Sequence, residues 1–119
     1  MRAVVPSLFL VYLLAILPEA QSRPHIILED VSYYSNASLQ SGLVRDLVDE
    51  KNLEEVYQFY TYFEAIYDAK GRVKIFKEYK QGEVIHEERY LYDDESTTPS
   101  NKTVLIPGKE PEVTHPTKM

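Results

Sequence analysis

The chain has 119 residues, a formal net charge of −6 and no cysteine. The acidic balance argues against nucleic acid or an anionic membrane as a partner, and the lack of cysteine excludes a disulfide framework. A chain of this length suffices for one small domain, which has to be stabilised by packing, oligomerisation or a ligand.

Residues 1–22 have the pattern of a secretory signal peptide. A positive start at Arg2 is followed by an apolar run from Ala3 to Leu17 and by small residues at Ala20 and Ser22. The run is shorter than the roughly 20 residues of a membrane-spanning helix. The sequence therefore predicts cleavage after Ser22 and a secreted, extracellular protein without a membrane anchor.

The residues after the signal peptide indicate a first strand or arm, and two sequons in the chain predict N-glycosylation. A short apolar run at residues 25–28 and the pair Tyr33-Tyr34 indicate a first strand or an arm packed on a sheet. Asn36 and Asn101 each begin an Asn-x-Ser/Thr sequon. Because the chain is predicted to be secreted, we expect both asparagines to carry N-glycans at the surface.

Residues 39–55 predict an amphipathic helix. Apolar residues recur at helical spacing, and Ser38 is placed to cap the first turn; they are Leu39, Leu43, Val44, Leu47 and Val48. An interior Gly42 costs a helix roughly 1 kcal/mol. The alternative is a short strand over residues 43–48 followed by a long loop.

Three runs rich in aromatic and β-branched residues between Tyr57 and Asp93 predict an antiparallel meander. Glycine-bearing turns separate them at residues 68–71 and 80–82. Alternation in the first run puts Tyr57, Phe59 and Phe63 on one face. Charged residues in the third run, 83–92, are typical of an edge strand.

Residues 23–95 are thus predicted to form a single small domain, and residues 96–119 a Pro-rich flexible tail. The tail's one apolar run, residues 104–106, offers one further strand. The predicted fold class is mainly β (β-rich α+β), an antiparallel meander of three to four strands with one preceding helix. Open sheet edges in so small a domain also predict a homo-oligomer.

Residues 39–95 resemble the N-terminal half of the secreted lipocalins that carry odorants and pheromones. The likeness rests on Tyr62-Phe63-Glu64 with Ile66, on a strand with Val73 and Ile75, and on Lys80-Gln81-Gly82-Glu83 opening the next strand. Lipocalins are eight-stranded barrels around an apolar ligand. The resemblance implies a partial lipocalin-like barrel, with a small hydrophobic ligand bound by Phe59, Phe63, Val73 and Ile75.

This sequence departs from the lipocalin pattern in three ways. Val44 stands where the family's Gly-x-Trp signature has its tryptophan, Val84 stands where the family usually has a cysteine after the Gly-Glu pair, and the second half of the barrel has no counterpart. The order of arm, helix and meander also resembles the cystatins, in which a helix packs on a sheet. The inhibitory Gln-x-Val-x-Gly hairpin of that family is absent, and residues 68–71 form the comparable turn.

Two clusters invite a chemical interpretation. His86-Glu87-Glu88 suggests a metal or acid–base site, but successive residues on a strand point to opposite faces, which favours a solvated edge strand and no metal. Tyr90 and Tyr92 precede an acidic run, as sulfated tyrosines do; an acidic linker is the simpler interpretation.

No nucleophile, phosphate loop or histidine cluster is evident in the sequence. We therefore expect a protein that is not an enzyme and has no cofactor. The predicted function is a secreted, non-catalytic binding module, a diverged or truncated carrier of a small hydrophobic ligand. The alternative is an extracellular protein-interaction module or a cystatin-like inhibitor.

Overall fold

A computed structural model describes residues 27–116 of the chain. The fold is mainly β, with 52% of the described residues in strands and 4% in one short helix, and this part of the chain contains antiparallel sheets but no closed barrel. The predicted fold class is confirmed. The elements are β1 (Ser32–Ser35), β2 (Ala37–Ser41), β3 (Val44–Val48), α1 (Leu53–Val56), β4 (Thr61–Tyr67), β5 (Val73–Lys80), β6 (Glu83–Leu91), β7 (Asn101–Leu105) and β8 (Glu112–Thr114).

Six strands form one antiparallel sheet in the order β1-β4-β5-β6-β7-β8. The predicted meander is its centre, β4-β5-β6. Gly71 and Gly82 have φ values of 81° and 79° in the two turns, a conformation that glycine adopts without strain. Each pair of central strands has a register shift, between Ile66 and Tyr67 and between Glu78 and Tyr79.

The helix predicted over residues 39–55 is wrong. Residues 37–48 form a two-stranded hairpin, β2-β3, with Ser41 opposite Val44. Gly42 lies at the turn with φ 62°, so the residue that weakened the helix is the one the turn requires. The alternative strand over residues 43–48 agrees with β3, although a short helix follows it rather than a long loop.

The third meander strand is not an edge. β6 pairs with β5 on one side and with β7 on the other. Its second neighbour comes from the segment predicted as a flexible tail, which supplies β7 and β8 to the sheet. Pro99, just before β7, is fully buried. The described edges of the sheet are therefore β1 and β8.

The core lies between the hairpin and one face of the six-stranded sheet. Its buried members come from β3 to β6: Leu47, Phe63, Ala65, Tyr67, Val73, Phe76 and Tyr90. Arg45 of β3 joins the two layers, because its guanidinium carbon lies 4.7 Å from the centre of the Phe76 ring and its backbone N–H donates to the Tyr90 hydroxyl at 3.0 Å. One face of β4, β5 and β6 is thus filled by side chains.

The helix α1 has only four residues and begins with a capping box. The Asn52 side chain accepts from the Glu55 N–H, and the Glu55 side chain accepts from the Asn52 N–H. Val56, fully buried, anchors the turn. A helix this short does not cover a sheet as the cystatin-like alternative requires.

The predicted signal peptide, residues 1–22, lies outside the described residues. Within residues 27–116, no helix has both the length and the apolar character needed to cross a membrane.

Candidate functional site

The four residues that the lipocalin resemblance implies as ligand contacts do not line one cavity. Phe63 is buried and stacks on Phe76, with ring centres 5.6 Å apart, and Val73 belongs to the same packed core. Ile75 pairs with Ile66 and is not part of that core. Phe59 precedes β4 and is 41% exposed.

An open cleft of about 470 Å³ lies where α1 and the β5–β6 turn meet. It is lined by Tyr57, Gln58, Phe59, Tyr60, Tyr62, Gln81 and Gly82, and we call it the aromatic cleft. Three of its rings project into solvent: Tyr57 is 64% exposed, Tyr60 60% and Phe59 41%.

Backbone hydrogen bonds position the two walls of the aromatic cleft. After α1 the Phe59 N–H donates to the Val56 carbonyl at 2.9 Å, which keeps residues 57–60 in tight turns rather than in a strand. The Gln81 N–H donates to the Tyr60 carbonyl at 2.8 Å, which ties the β5–β6 turn to this segment. The aromatic rings are therefore presented by an ordered backbone.

Behind the cleft four tyrosines from different elements form a ring cluster. Tyr62 stacks on Tyr79 with centres 4.7 Å apart, as their cross-strand register requires. Tyr57 meets Tyr62 edge to face at 5.9 Å with the ring planes perpendicular. Tyr34 of β1 contacts Tyr62 at 6.5 Å. Tyr62 thus forms the floor of the cleft and connects it to the sheet.

A buried carboxylate lies beside this tyrosine cluster. Glu64 is 6% exposed; it accepts a hydrogen bond from the Tyr79 hydroxyl at 2.6 Å and another from the Ser32 hydroxyl. Burial, followed by the hydrogen bond to Glu64 and its charge, raises the pKa of Tyr79 well above its usual range. Burial first, and the Glu64 charge among lesser causes, also raises the pKa of Tyr34 and Tyr62.

A second buried carboxylate, Glu88, lies on the face of the sheet that bears Phe76, its cross-strand partner. His86 Nε2 lies 2.7 Å from one Glu88 oxygen. The Tyr90 hydroxyl donates to the other oxygen, and the Lys102 ammonium lies 3.4 Å from it. Within residues 27–116 no group of three or more histidine and acidic side chains could hold a metal ion. Through its contact with Lys102, Glu88 joins β6 to β7.

The two tyrosines considered for sulfation have hydroxyls that are already bonded. Tyr90 is buried and bonded to Glu88, and the Tyr92 hydroxyl donates to the Val73 carbonyl at 2.6 Å. Of the two sequon asparagines, Asn36 lies between β1 and β2 and is partly exposed. Asn101 begins β7, and its Oδ1 is buried without a hydrogen-bond partner in the described part of the chain.

Sequence reasoning missed the site formed by Tyr34, Tyr62, Tyr79 and Glu64. The meander placed Tyr62 and Tyr79 on neighbouring strands, but their stacking depends on the β4–β5 register that makes them direct partners. The capping box at Asn52 and Glu55 was the available signal that a helix, rather than a strand, leads into Tyr57.

Comparisons of the chain with family models, with curated proteins and with solved structures give no match.

Proposed function

We propose that this chain is a small secreted glycoprotein without catalytic activity that binds an extracellular protein through the aromatic cleft. The observation that carries the proposal is the exposure of Tyr57, Phe59 and Tyr60 together at one end of the sheet. Tyrosine and phenylalanine are enriched at protein interfaces, and tyrosine is prominent among the residues that dominate binding energy.

The order of the surrounding backbone supports a binding role. The turns that present the rings are fixed by hydrogen bonds from Phe59 and Gln81, and Tyr62 is held on Tyr79. A side chain that is already positioned loses less conformational entropy when a partner binds. The proposed partner surface is therefore formed before the complex is.

The second candidate function is the binding of a small hydrophobic ligand, as the lipocalin resemblance implies. One observation favours it, because a volume of about 470 Å³ falls within the range of small-molecule sites. Such sites usually bury most of their ligand, whereas Tyr57 and Tyr60 leave this cleft open to solvent. The protein partner is the better-supported occupant.

The test compares the glycosylated mature chain with a variant carrying Tyr57→Ser and Tyr60→Ser, each used to capture proteins from the extracellular fluid of the source tissue. We expect the native chain to capture a partner and the double variant to bind it at least tenfold more weakly, since interface aromatics contribute about 2 kcal/mol or more when they dominate binding.

The matched control is Leu91→Ser, which changes a residue that is 65% exposed at the opposite end of β6 and should leave capture unchanged. Capture that survives the double substitution, or that is never seen, contradicts the proposal. Native mass spectrometry of the same samples separates the second candidate, which predicts a retained small molecule that is lost in the double variant.

A further inference from the structure

We infer that the aromatic cleft receives a basic side chain of the partner, an arginine, whose guanidinium lies against the rings of Tyr57 and Tyr60 above the floor formed by Tyr62. This inference rests on the proposed function and adds the chemistry of the group that is recognised.

The rings provide the first argument. Guanidinium groups are attracted to the faces of aromatic rings within about 6 Å, and two arginines of the chain already make such contacts. Arg45 lies over Phe76 at 4.7 Å, and Arg72 lies over Tyr92 at 4.4 Å. Within the described residues no arginine or lysine lies over Tyr57 or Tyr60, so these faces are open to a cation from outside.

The local charge provides the second argument. Glu64 is buried and bonded to two neutral hydroxyls, and no lysine or arginine of the described residues forms an ion pair with it. Its hydrogen-bond partners are thus neutral hydroxyls, while Lys77 lies opposite it in the strand register without forming an ion pair, and Tyr62 separates Glu64 from the cleft. A cation that enters the cleft lowers the electrostatic energy of this carboxylate.

The charged residues that flank the cleft's lining in sequence are mostly acidic. Glu54 and Glu55, in the first turn of α1, are exposed, and Glu83 begins β6 beside Gly82. The one basic residue near the β5–β6 turn, Lys80, lies opposite Glu83 in the strand register. The residues flanking the lining in sequence are thus acidic on balance, and the whole chain carries a net charge of −6.

The amide side chains of the cleft favour arginine over lysine. Gln58 and Gln81 both line it, and each has a carbonyl oxygen that can accept from a guanidinium N–H. The planar guanidinium stacks on an aromatic ring while its edge donates hydrogen bonds, a combination that an ammonium group lacks.

The test is an NMR titration of the mature chain with two small probes, acetyl-Gly-Arg-Gly-amide and the same peptide with citrulline, which is close in shape but uncharged. We expect the arginine probe to shift the ring resonances of Tyr57 and Tyr60 and to bind roughly tenfold more tightly than the citrulline probe. Added salt should weaken the arginine probe more than the citrulline probe, since screening acts on charge.

Two variants make the result specific. Tyr57→Leu, at an exposed position, should reduce arginine binding without affecting the fold, and Glu64→Gln should reduce the preference for arginine over citrulline. Should Glu64→Gln fail to fold, the binding of the two probes to the native chain and to Tyr57→Leu still tests the inference. Leu91→Ala is the control and should bind both probes as the native chain does.

Equal binding of the two probes, or no binding of either, overturns the inference; equal binding instead indicates an apolar or neutral occupant. The proposed function has its own outcome. If partner capture depends on Tyr57 and Tyr60 but the two probes bind equally, the proposed binding surface is supported and the inference of an arginine is wrong. If capture is also independent of the two tyrosines, both the proposed function and the arginine inference are wrong.

Discussion

Two glutamates are buried in one sheet, Glu64 at 6% and Glu88 at 4% exposure, yet their surroundings differ in charge. Glu88 has a lysine and a histidine within ion-pair distance, whereas Glu64 accepts from two hydroxyls and forms no ion pair within residues 27–116. Removing one partner of a buried charge pair destabilises a fold, whereas an added cation can still lower the energy of a carboxylate that has no ion pair. We therefore assign Glu88 a structural role and Glu64 a place in the candidate site.

The role of Glu88 predicts a pH-dependent stability. Burial on its own raises the pKa of Glu88, but hydrogen bonds from Tyr90 and His86 and the charge of Lys102 outweigh it, so the pKa lies below its ordinary value of 4.5. A carboxyl whose pKa is lowered on folding stabilises the folded state above its unfolded pKa and loses that effect as the pH falls through the folded pKa. Glu88→Gln should cost about 2 kcal/mol at pH 7, and the difference should shrink as the pH falls below 4.5.

Urea denaturation of the native chain and of the variant at a series of pH values measures this difference. The control is Glu87→Gln on the adjacent residue, which pairs with the exposed Arg89 and should cost less than about 1 kcal/mol at any pH. A Glu88→Gln penalty that stays constant from neutral to acid pH would show that the carboxylate charge is not what stabilises the fold.

At the scale of elements, the strand after the Pro-rich segment is predicted to be essential to the sheet. β7 supplies Lys102 to Glu88 and covers the edge of β6, whereas all three residues of β8 are exposed. A chain ending at residue 100 should therefore lose most of its stability and aggregate through β6. A chain ending at Pro111, which lacks only β8 and the residues after it, should stay folded with a small loss.

Thermal melting and amide hydrogen exchange of β6 distinguish these two truncations. Fast exchange along β6 in the shorter chain and native-like protection in the longer one are the expected results. Protection of β6 in the chain ending at residue 100 would contradict the assignment of β7 as a structural strand.

The elements also show what the sequence could and could not predict. β4, β5 and β6 are strands because alternating aromatic and β-branched residues are bounded by glycine turns, which is local information. The helix prediction for the hairpin, residues 37–48, was wrong because the spacing of Leu43, Val44, Leu47 and Val48 suits a helix as well as a hairpin. Of these four residues only Leu47 is buried. The tyrosine cluster could not be predicted, because Tyr34 reaches Tyr62 through the pairing of β1 with β4.

Among the described residues, the whole molecule is an open six-stranded sheet covered by one hairpin, and its two edges differ. Beside β1, the Lys51 N–H donates to the Tyr34 carbonyl at 2.7 Å, which covers part of that edge. β8 has a single strand neighbour, β7, among the described residues. An edge of this kind is a template for pairing with a second copy, although three residues limit the strength of such a pairing.

We therefore predict reversible self-association of the mature chain through antiparallel pairing of β8 with β8, which places the half-exposed Val113 of one copy near that of the other. Sedimentation velocity should show an apparent mass that rises with concentration. Val113→Pro should abolish the rise, because proline cannot donate a hydrogen bond to an adjoining strand. Tyr57→Ser should leave it unchanged, since the aromatic cleft lies at a different part of the sheet.

The opposite pattern, dissociation by Tyr57→Ser alone, would place the self-contact on the cleft and leave β8 free. A monomer at every concentration would mean that the exposed residues of β8, Glu112 among them, are sufficient to prevent edge pairing, as short charged edges are in other sheets.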